Sequence, residues 1–340
     1  MSDILLAKPS LPEGFIDTSV GEPYLVKESL SKFIDLDNIS CFADKGLWEY
    51  PRPNGYKPLI DLLEEKHQAT VIITNGAKQA LGATFYALTK MGYENVKMKN
   101  PFWALIPPLS KYHNLTSIFG EPDSVPHSPY LLLAPNNPDG HCQSLDSLKE
   151  TYSVYKNDGI PFIHDAAYFT HTYLPPSYEL GSVGDVQIFS ASKMYGLSGL
   201  RVGYAVCYNS QFAKLIQEYM EMMTVGVSNI SQKLFYNLLT WQNSDNDLHK
   251  NFINDSYESL IKAKLLVKQI KKDILEVPDN LIDIPGMFGW FKVGPKADFN
   301  KAKVNFIDGA LFGQPGYVRM NLALPENKLR EVIFRLNNLI

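Results

Sequence analysis

Short apolar runs alternate with amphipathic stretches from residue 71 onward. The runs predicted to be strands cover residues 71–74, 95–99, 130–135, 161–167, 186–192 and 202–208. Helical spacing of apolar residues predicts helices at 77–90 and about 144–157. Because alternating strands and helices favour a mostly parallel sheet with helices on both faces, we predict a three-layer α/β/α fold.

The two ends of the chain differ from this middle part. The first forty-odd residues contain turn signals at 11–14 and 21–23, and we expect them to be irregular. The polar stretch 242–251 is typical of a domain junction. After it the pattern predicts, in order, a helix at about 252–275, a strand at 286–293 and a final amphipathic helix. Three units are therefore predicted: an N-terminal segment that packs with the small domain (1–45), a large domain (46–241) and a small α+β C-terminal domain (242–340).

Composition excludes several classes of protein. The chain has 340 residues, 45% of them hydrophobic, and a formal net charge of −4, which argues against a nucleic-acid partner. The first residues lack the apolar core of a signal peptide, and no apolar run approaches the ~18 residues of a membrane span. Three well-separated cysteines give neither a disulfide framework nor a metal-ligand spacing. We expect a cytoplasmic protein with no nucleic-acid partner, no membrane partner and no metal site.

Lys193 stands in the run SASKMYGLSGLRVGY (190–204), directly after a predicted strand. A lysine that forms a Schiff base needs a dry site and positive neighbours that lower the pKa of its amine. Ser190 and Ser192 offer hydroxyl donors, and Arg201 offers a planar fork that suits a phosphate. Taken alone, the run is equally compatible with a surface loop that contains a lysine.

Polar residues near other predicted strand ends favour the first interpretation. Gly76 joins a strand to a helix, whose free N–H groups can bind an anion. Asp165 ends an apolar strand and needs a cation there, and the phenol of Tyr168 follows three residues later. Asn137 lies in a rigid turn between two prolines, and Trp103 could stack on a ring. Each has a structural alternative, an ordinary turn or a helix N-cap, but together with the lysine they fit pyridoxal phosphate.

The run around the lysine resembles the S-x-S-K-x-x-G-L-x-G-x-R-x-G-Y motif of the fold-type-I pyridoxal-phosphate enzymes, specifically the class I/II aminotransferases. Four further segments are similar to that family: APNNPDG, DAAY, SVGEPYLV (19–26) and WEYPRPNGYKPLIDLL (48–63). Ala134 and Asp139 depart from the family's N-P-x-N-P-T-G pattern. The resemblance covers nearly the whole chain and is nearest to histidinol-phosphate and aspartate aminotransferase-like members. It implies the fold-type-I architecture and a pyridoxal 5'-phosphate cofactor.

The resemblance also implies a role for each matching residue around the cofactor. Lys193 would form the Schiff base, and Asp165 would pair with the pyridine nitrogen. Asn137, which also lies at the substrate end, and Tyr168 would bond the phenolic oxygen of the ring. A larger set would hold the phosphate: Gly76, Ala77, Lys78 through its backbone, Ser190, Ser192 and Arg201.

Other implied roles concern ring stacking, the substrate and a second subunit. Trp103 would stack on the ring, with Phe102 as a rival. Tyr50 would reach the phosphate of the neighbouring subunit, which implies a homodimer. Gly21 would line the substrate end, and Arg319 would bind the α-carboxylate, because a bidentate fork fixes orientation as well as position. The alternative for Arg319 is an exposed arginine on an edge strand.

The function predicted from these roles is an aminotransferase that moves an amino group between an L-amino acid and a 2-oxo acid. The same cofactor site serves other reactions on this fold, so a carbon–sulfur β-lyase or another amino-acid lyase or decarboxylase stays an alternative. A regulatory module without catalysis is a weaker alternative, since Lys193 and Arg319 are both present. A nicotinamide dehydrogenase is weaker still, since no G-x-G-x-x-G follows a strand. The identity of the substrate is not predicted. Three residues are candidates for lining its pocket, but each could equally be an ordinary surface or core residue: Arg52, Phe288 and Trp290.

Overall fold

The structure is a computed structural model that describes residues 11–34, 45–124, 126–175, 178–244 and 246–339. Its helices are α1 (Tyr24–Phe33), α2 (Lys57–His67), α3 (Ala77–Lys90), α4 (Ile106–Tyr112), α5 (Leu145–Asn157), α6 (Ala191–Met194), α7 (Ser210–Thr224), α8 (Asn229–Ser244), α9 (Asn246–Val267), α10 (Phe299–Ala302) and α11 (Glu326–Asn337). Its strands are β1 (Ile16–Asp17), β2 (Thr70–Thr74), β3 (Asn95–Met98), β4 (Thr116–Phe119), β5 (Tyr130–Leu133), β6 (Phe162–Asp165), β7 (Val186–Ser190), β8 (Gly203–Cys207), β9 (Leu275–Glu276), β10 (Phe288–Val293), β11 (Val304–Asn305), β12 (Ile307–Asp308) and β13 (Tyr317–Asn321).

A seven-stranded sheet forms the centre of the molecule, in the order β2-β8-β7-β6-β5-β3-β4. Five of its strands, from β7 to β4 in this order, run parallel, and β8 is antiparallel to both of its neighbours. Residues 191–202, between β7 and β8, stay at one end of the sheet, because Ser190 pairs with Gly203. The predicted α/β fold with a mostly parallel sheet is confirmed.

The inner strands of this sheet are buried along their whole length. Every residue of β5, β6, β7 and β8 is buried, as expected for strands that are covered on both faces. Helix α3 contacts α7, β7 and β8, and it buries an apolar stripe that contains Leu81, Phe85 and Leu88. The carboxyl ends of β6 and β7 therefore sit on a rigid base.

The C-terminal third contains a second, antiparallel sheet in the order β12-β13-β10-β9. The N-terminal residues contact this part of the chain: β1 pairs with β11, and Ser29 Oγ donates to the carbonyl of Phe252 at 3.3 Å. The predicted boundary at 241–242 falls within α8, and part of the predicted unit 1–45 lies outside the described residues. The division into three units stays a prediction.

Three expectations about individual elements are wrong. The N-terminal region contains α1, which buries one stripe with Leu25, Val26 and Leu30, although turn signals precede it. The long helix spans Asn246–Val267 instead of 252–275: an aspartate in its first turn favours the earlier start, and buried apolar residues lie in the turns that follow it. Strand β4 was not expected, because its exposed edge position leaves no alternation of apolar and polar residues.

Candidate active site

The predicted site residues meet at one cavity of about 910 Å³ beyond the carboxyl ends of the parallel strands. Asp165 ends β6, Ser190 ends β7, and Lys193 follows in α6. Gly21 of the N-terminal segment and Arg319 of β13 line the opposite side of the cavity. Ligands collect at this edge of open α/β sheets, because the strand ends and the following turns leave a crevice there.

Lys193 extends its amine into this cavity and donates a hydrogen bond to the backbone carbonyl of Gly21. A Cβ atom at Gly21 would lie 3.6 Å from the lysine nitrogen and 3.3 Å from Phe288, so a side chain there would crowd the amine. Burial lowers the pKa of Lys193 to about 8, although the charge of Glu22 acts in the opposite direction. A substantial fraction of free amine is therefore present near neutral pH.

Asp165 is buried, with 2% of its surface exposed, and within the described chain its carboxylate accepts a hydrogen bond from the Ala167 N–H at 3.1 Å. Burial raises the pKa of Asp165 to about 7, and the hydrogen bond from Ala167 offsets part of this effect. A buried carboxyl of this kind is stabilised in its charged form by a cationic N–H group. The ring nitrogen of pyridoxal phosphate is such a group.

Asn137, Tyr168 and Arg319 form a buried chain of hydrogen bonds. Asn137 Nδ2 donates to the Tyr168 oxygen at 3.2 Å, and Arg319 Nη1 donates to Asn137 Oδ1 at 2.9 Å. Burial raises the pKa of Tyr168 to about 12, so the phenol keeps its proton. The chain links the residues that are predicted to contact the ring with the residue that is predicted to bind the substrate.

The Arg319 guanidinium is 5% exposed and lies over the ring of Phe288, 4.1 Å from its centroid. Its Nη2 donates to the Ser19 carbonyl at 2.5 Å, whereas its buried Nε has no hydrogen-bond partner in the part of the chain that the structure describes. Burial lowers the pKa of Arg319 to about 10, which leaves it charged at neutral pH. A buried guanidinium with a free N–H fits a carboxylate ligand.

The opposite end of the cavity is suited to an anion. Gly76 is the N-cap of α3 with φ +82°, and a Cβ atom there would lie 2.7 Å from Arg201 Nη2. Arg201 is held by hydrogen bonds to the carbonyls of Ser198 (2.8 Å) and Asn75 (3.1 Å). Burial and then the charge of Arg201 lower the pKa of Lys78, as expected where positive groups converge. Together with the helix N-terminus, these cations form a site for a phosphate. Further predicted phosphate residues that line the cavity are Ala77, Ser190 and Ser192.

Of the three aromatic residues predicted for ring stacking or for the neighbouring subunit, one lines the cavity. Trp103 lines the cavity, whereas its rival Phe102 stacks on Phe119 with 4.7 Å between ring centroids. Tyr50 is 88% exposed and is not among the residues that line the cavity. Within a single chain, all the predicted site residues therefore line the cavity except Gly76 and Tyr50, and Gly76 lies against Arg201, which lines it.

Of the three candidates for lining the substrate pocket, the structure places one at the cavity. Phe288 lines the cavity, while Trp290 stacks on Tyr317 at 5.3 Å and Arg52 is exposed outside it. The sequence reasoning missed two charged residues of the cavity, Glu22 and Asp308. The position of Glu22 between a predicted site glycine and a proline could have indicated it, whereas nothing in the sequence distinguishes Asp308. It also missed four apolar residues of the segment before β13: Phe306, Ile307, Leu311 and Phe312.

The residues that the structure describes provide neither a membrane-spanning helix nor a cluster of metal-binding side chains. No helix among them is long and apolar enough to cross a bilayer. They contain no group of three or more histidine, cysteine, aspartate or glutamate side chains that could hold a metal ion. The cytoplasmic location stays a prediction.

Comparisons with known proteins agree with this geometry. The family model described as allinase matches residues 64–273. The chain is 29% identical over 292 residues to tryptophan aminotransferase-related protein 2 of Arabidopsis thaliana, a match that covers 78% of this chain and 62% of that protein. It is 23% identical to a probable aspartate/prephenate aminotransferase of Aquifex aeolicus, over 92% of this chain and 86% of the relative.

A solved structure has the same fold. The aspartate aminotransferase of Thermus thermophilus with maleate superimposes with a TM-score of 0.79 at 20% identity, over 96% of this chain and 92% of that one. The architecture of this chain is therefore that of fold-type-I aminotransferases. The match to the Arabidopsis protein leaves more than a third of that relative's length outside the comparison.

Proposed function

This chain belongs to the allinase family, and from that premise we propose that it is a pyridoxal-phosphate-dependent aminotransferase. It would exchange an amino group between an L-amino acid and a 2-oxo acid. One arrangement carries the proposal: the amine of Lys193, the carboxyl of Asp165 and the guanidinium of Arg319 face the same cavity. The reaction needs a proton-transferring amine, an acid for the ring nitrogen and a fork for the α-carboxylate.

The buried polar groups of the cavity fit the cofactor and the substrate. The Asp165 carboxyl has no cation beside it among the hydrogen bonds of the described residues, and the cofactor ring would supply one. The N-terminus of α3 at Gly76, with Arg201 beside it, suits the phosphate. The Nε of Arg319, which has no partner among the described residues, suits the substrate carboxylate. Trp103 would cover one face of the ring.

The residues of the chain would bind, orient and move protons in the reaction. When bound, the cofactor would supply an electron sink for the bond that breaks at Cα. Arg319 would fix the α-carboxylate and so orient the Cα–H bond, and Asp165 would stay ionised opposite the ring nitrogen. Lys193 would take the proton from Cα and deliver it to the carbon on the other side of the amino nitrogen. With its pKa at about 8, about a tenth of this amine is neutral at pH 7 and ready to accept a proton.

The test is the dependence of product formation on an amino acceptor. A panel of L-amino acids is incubated with pyruvate, 2-oxoglutarate or phenylpyruvate, and amino and oxo acids are quantified by chromatography. We expect one new amino acid for every oxo acid released, and no steady release without an acceptor. Steady release of pyruvate and ammonia in the absence of any acceptor would contradict the proposal.

The second candidate is a carbon–sulfur β-lyase. It would use the same lysine, acid and arginine, because the two reactions diverge only after the Cα proton has been removed. The observation in its favour is the F-G-x-x-G…R-x-N run at 312–321, which resembles lyases of this fold. Phe312 of this run lies in the cavity wall, and Asn321 at its end bonds the N-terminal segment. The acceptor experiment separates the two candidates.

We also propose a homodimer whose partner completes each site. Several apolar side chains are exposed on neighbouring segments: Trp48 (60%), Tyr50 (88%), Met222 (78%) and Met223 (57%). The start of α8, a few residues after Met223, contacts the Tyr50 segment, since Asn229 Nδ2 donates to the Glu49 carbonyl at 3.1 Å. Exposed apolar side chains on adjoining segments are typical of an interface, and this interface would present Tyr50 to a second copy of the chain.

Replacing Tyr50 by phenylalanine is expected to raise the dissociation constant of the cofactor about tenfold, because the phenol would lose a hydrogen bond to a charged phosphate. The measurement is cofactor titration followed by absorbance, with sedimentation to determine the oligomeric state. Tyr112→Phe is the matched control, since Tyr112 is also exposed (78%) and lies at the end of α4. Equal cofactor affinities for the parent and Tyr50→Phe would contradict the proposed role.

A further inference from the structure

Glu22 lies at the cavity beside Lys193, and neither the family pattern nor the proposed mechanism gives it a role. Ser198 Oγ donates to both carboxylate oxygens of Glu22, at 2.7 Å to Oε2. Ser198 belongs to the loop that follows the lysine in the chain. The Glu22 side chain therefore ties the N-terminal segment to the loop of Lys193.

The backbone of the same segment is held from the other side by β13. Asn321 Nδ2 donates to the carbonyls of Val20 and Glu22, at 2.8 Å each. The carbonyl between these two, that of Gly21, accepts the hydrogen bond from the Lys193 amine. Residues 20–22 are thus fixed at both ends, and the carbonyl that receives the lysine has a defined position.

Two positive side chains and one negative side chain affect the proton affinity of the Lys193 amine. Arg319 and Arg201 act against the protonated amine, and Glu22 acts in its favour. The ring of Tyr168 lies 5.5 Å from the lysine nitrogen. Glu22 itself faces two phenols, Tyr24 and Tyr173, and both are protonated at neutral pH because burial raises the pKa of each. Asp165 and Asp308 also line the cavity, but Glu22 is the carboxylate whose charge favours the protonated amine of Lys193.

We propose that Glu22 is a positioning residue for Lys193: with Ser198 it anchors the Gly21 carbonyl that accepts the amine, and its charge favours the protonated amine whenever the lysine is not bonded to a cofactor. The catalytic meaning of this inference rests on the proposed function, in which Lys193 carries a proton from one carbon to another. The proton leaves Cα, resides on the lysine nitrogen and is then delivered. A nearby carboxylate stabilises the nitrogen in its charged form during that interval.

The test measures the proton affinity of Lys193 directly. Cofactor-free protein is treated with acetic anhydride at a series of pH values, and mass spectrometry gives the pH midpoint at which residue 193 becomes reactive. We expect Glu22→Gln to lower this midpoint by about one pH unit, because a neighbouring negative charge is removed. In the cofactor-loaded enzyme, the pH midpoint of the visible absorption band is expected to fall in the same direction.

Three variants distinguish the effect of the Glu22 charge from the effect of its hydrogen bond to Ser198 and from an unspecific effect of losing a charge. Glu22→Asp keeps the charge and is expected to restore most of the parent midpoint. Ser198→Ala keeps the carboxylate but removes its anchor, so its midpoint is expected to fall by less than that of Glu22→Gln. Glu28→Gln removes an exposed charge from α1, the helix that begins two residues after Glu22, and is expected to leave the midpoint unchanged. Thermal unfolding shows whether each variant is folded.

A parent-like Lys193 midpoint in folded Glu22→Gln overturns the inference, and so does an equal shift in Glu28→Gln. A different result would contradict the proposed function. A parent protein that forms no visible band with excess cofactor contradicts the aminotransferase, while a lowered midpoint in Glu22→Gln would still support the coupling between Glu22 and the lysine amine.

Discussion

Lys193→Ala is expected to lose the visible absorption band of the bound cofactor and to reduce turnover about ten-thousand-fold. Two functions disappear together, because the same nitrogen would attach the cofactor and move the proton. Among the described residues, the second lysine of the cavity wall is Lys78, which lies beside Arg201 at the predicted phosphate site and is not placed to replace Lys193. Absorption spectra and acceptor-dependent turnover of the parent and the variant are the measurements.

The fold supplies an internal control for this experiment. Lys264 of α9 is also buried, and burial lowers its pKa to about 8, as it does for Lys193. Its amine donates to the Ile284 carbonyl and lies outside the cavity. Borohydride reduction of the loaded parent is expected to trap the cofactor on residue 193 and not on residue 264. Trapping on Lys264, or unchanged turnover in Lys193→Ala, would contradict the assignment.

The central sheet could be predicted because its strands are buried on both faces. Runs such as YLLL and FIHD have no competing helical period and are bounded by turn residues, so their position follows from the sequence. The antiparallel direction of β8 could not be predicted in the same way. An apolar strand has the same pattern in either direction, and only the path of residues 191–202 decides which end of the sheet the chain reaches.

The cofactor end of the site was more predictable than the substrate end. Asp165 ends a strand, and Gly76 and Lys193 lie within three residues of a strand end, so the edge of a mostly parallel sheet brings these positions together. Arg319 and Gly21 come from opposite ends of the chain, and only the resemblance to a family connected them. The contact of Glu22 with Ser198 spans 176 residues and has no periodic signal, so no local rule could predict it.

The N-terminal helix α1 was missed for a related reason. Its two turns of apolar residues follow Pro23 and a glycine, and local signals alone favour a turn there. Burial of Leu25, Val26 and Leu30 stabilises the helix through tertiary packing, including the contact with α9. The position of Gly21 and Glu22 at the cavity depends on this packing, because α1 begins two residues after Glu22.

Arg319→Ala is expected to lower kcat/KM for amino acids about thirty-fold to a few thousand-fold, since truncating one partner of a buried charge pair costs about 2–5 kcal/mol. The loss should appear mainly with the substrate, because Arg319 would bind the α-carboxylate through its fork. Arg319→Lys keeps a positive charge without the fork and is expected to recover only part of the loss. Arg335→Ala is the matched control, since Arg335 bonds Glu331 and the Gly14 carbonyl outside the cavity.

A substrate without a carboxylate separates binding from structural damage. Arg319 also donates to Asn137 and to the Ser19 carbonyl, so its removal could disturb the cofactor contacts as well. A primary amine that matches the best amino-acid donor but lacks the α-carboxylate has nothing for Arg319 to bind. We therefore expect the parent and Arg319→Ala to convert this amine at similar rates, with unchanged cofactor spectra. An equal loss of rate for the amine and for the amino acid would mean that Arg319 supports the site through Asn137 and does not bind the substrate.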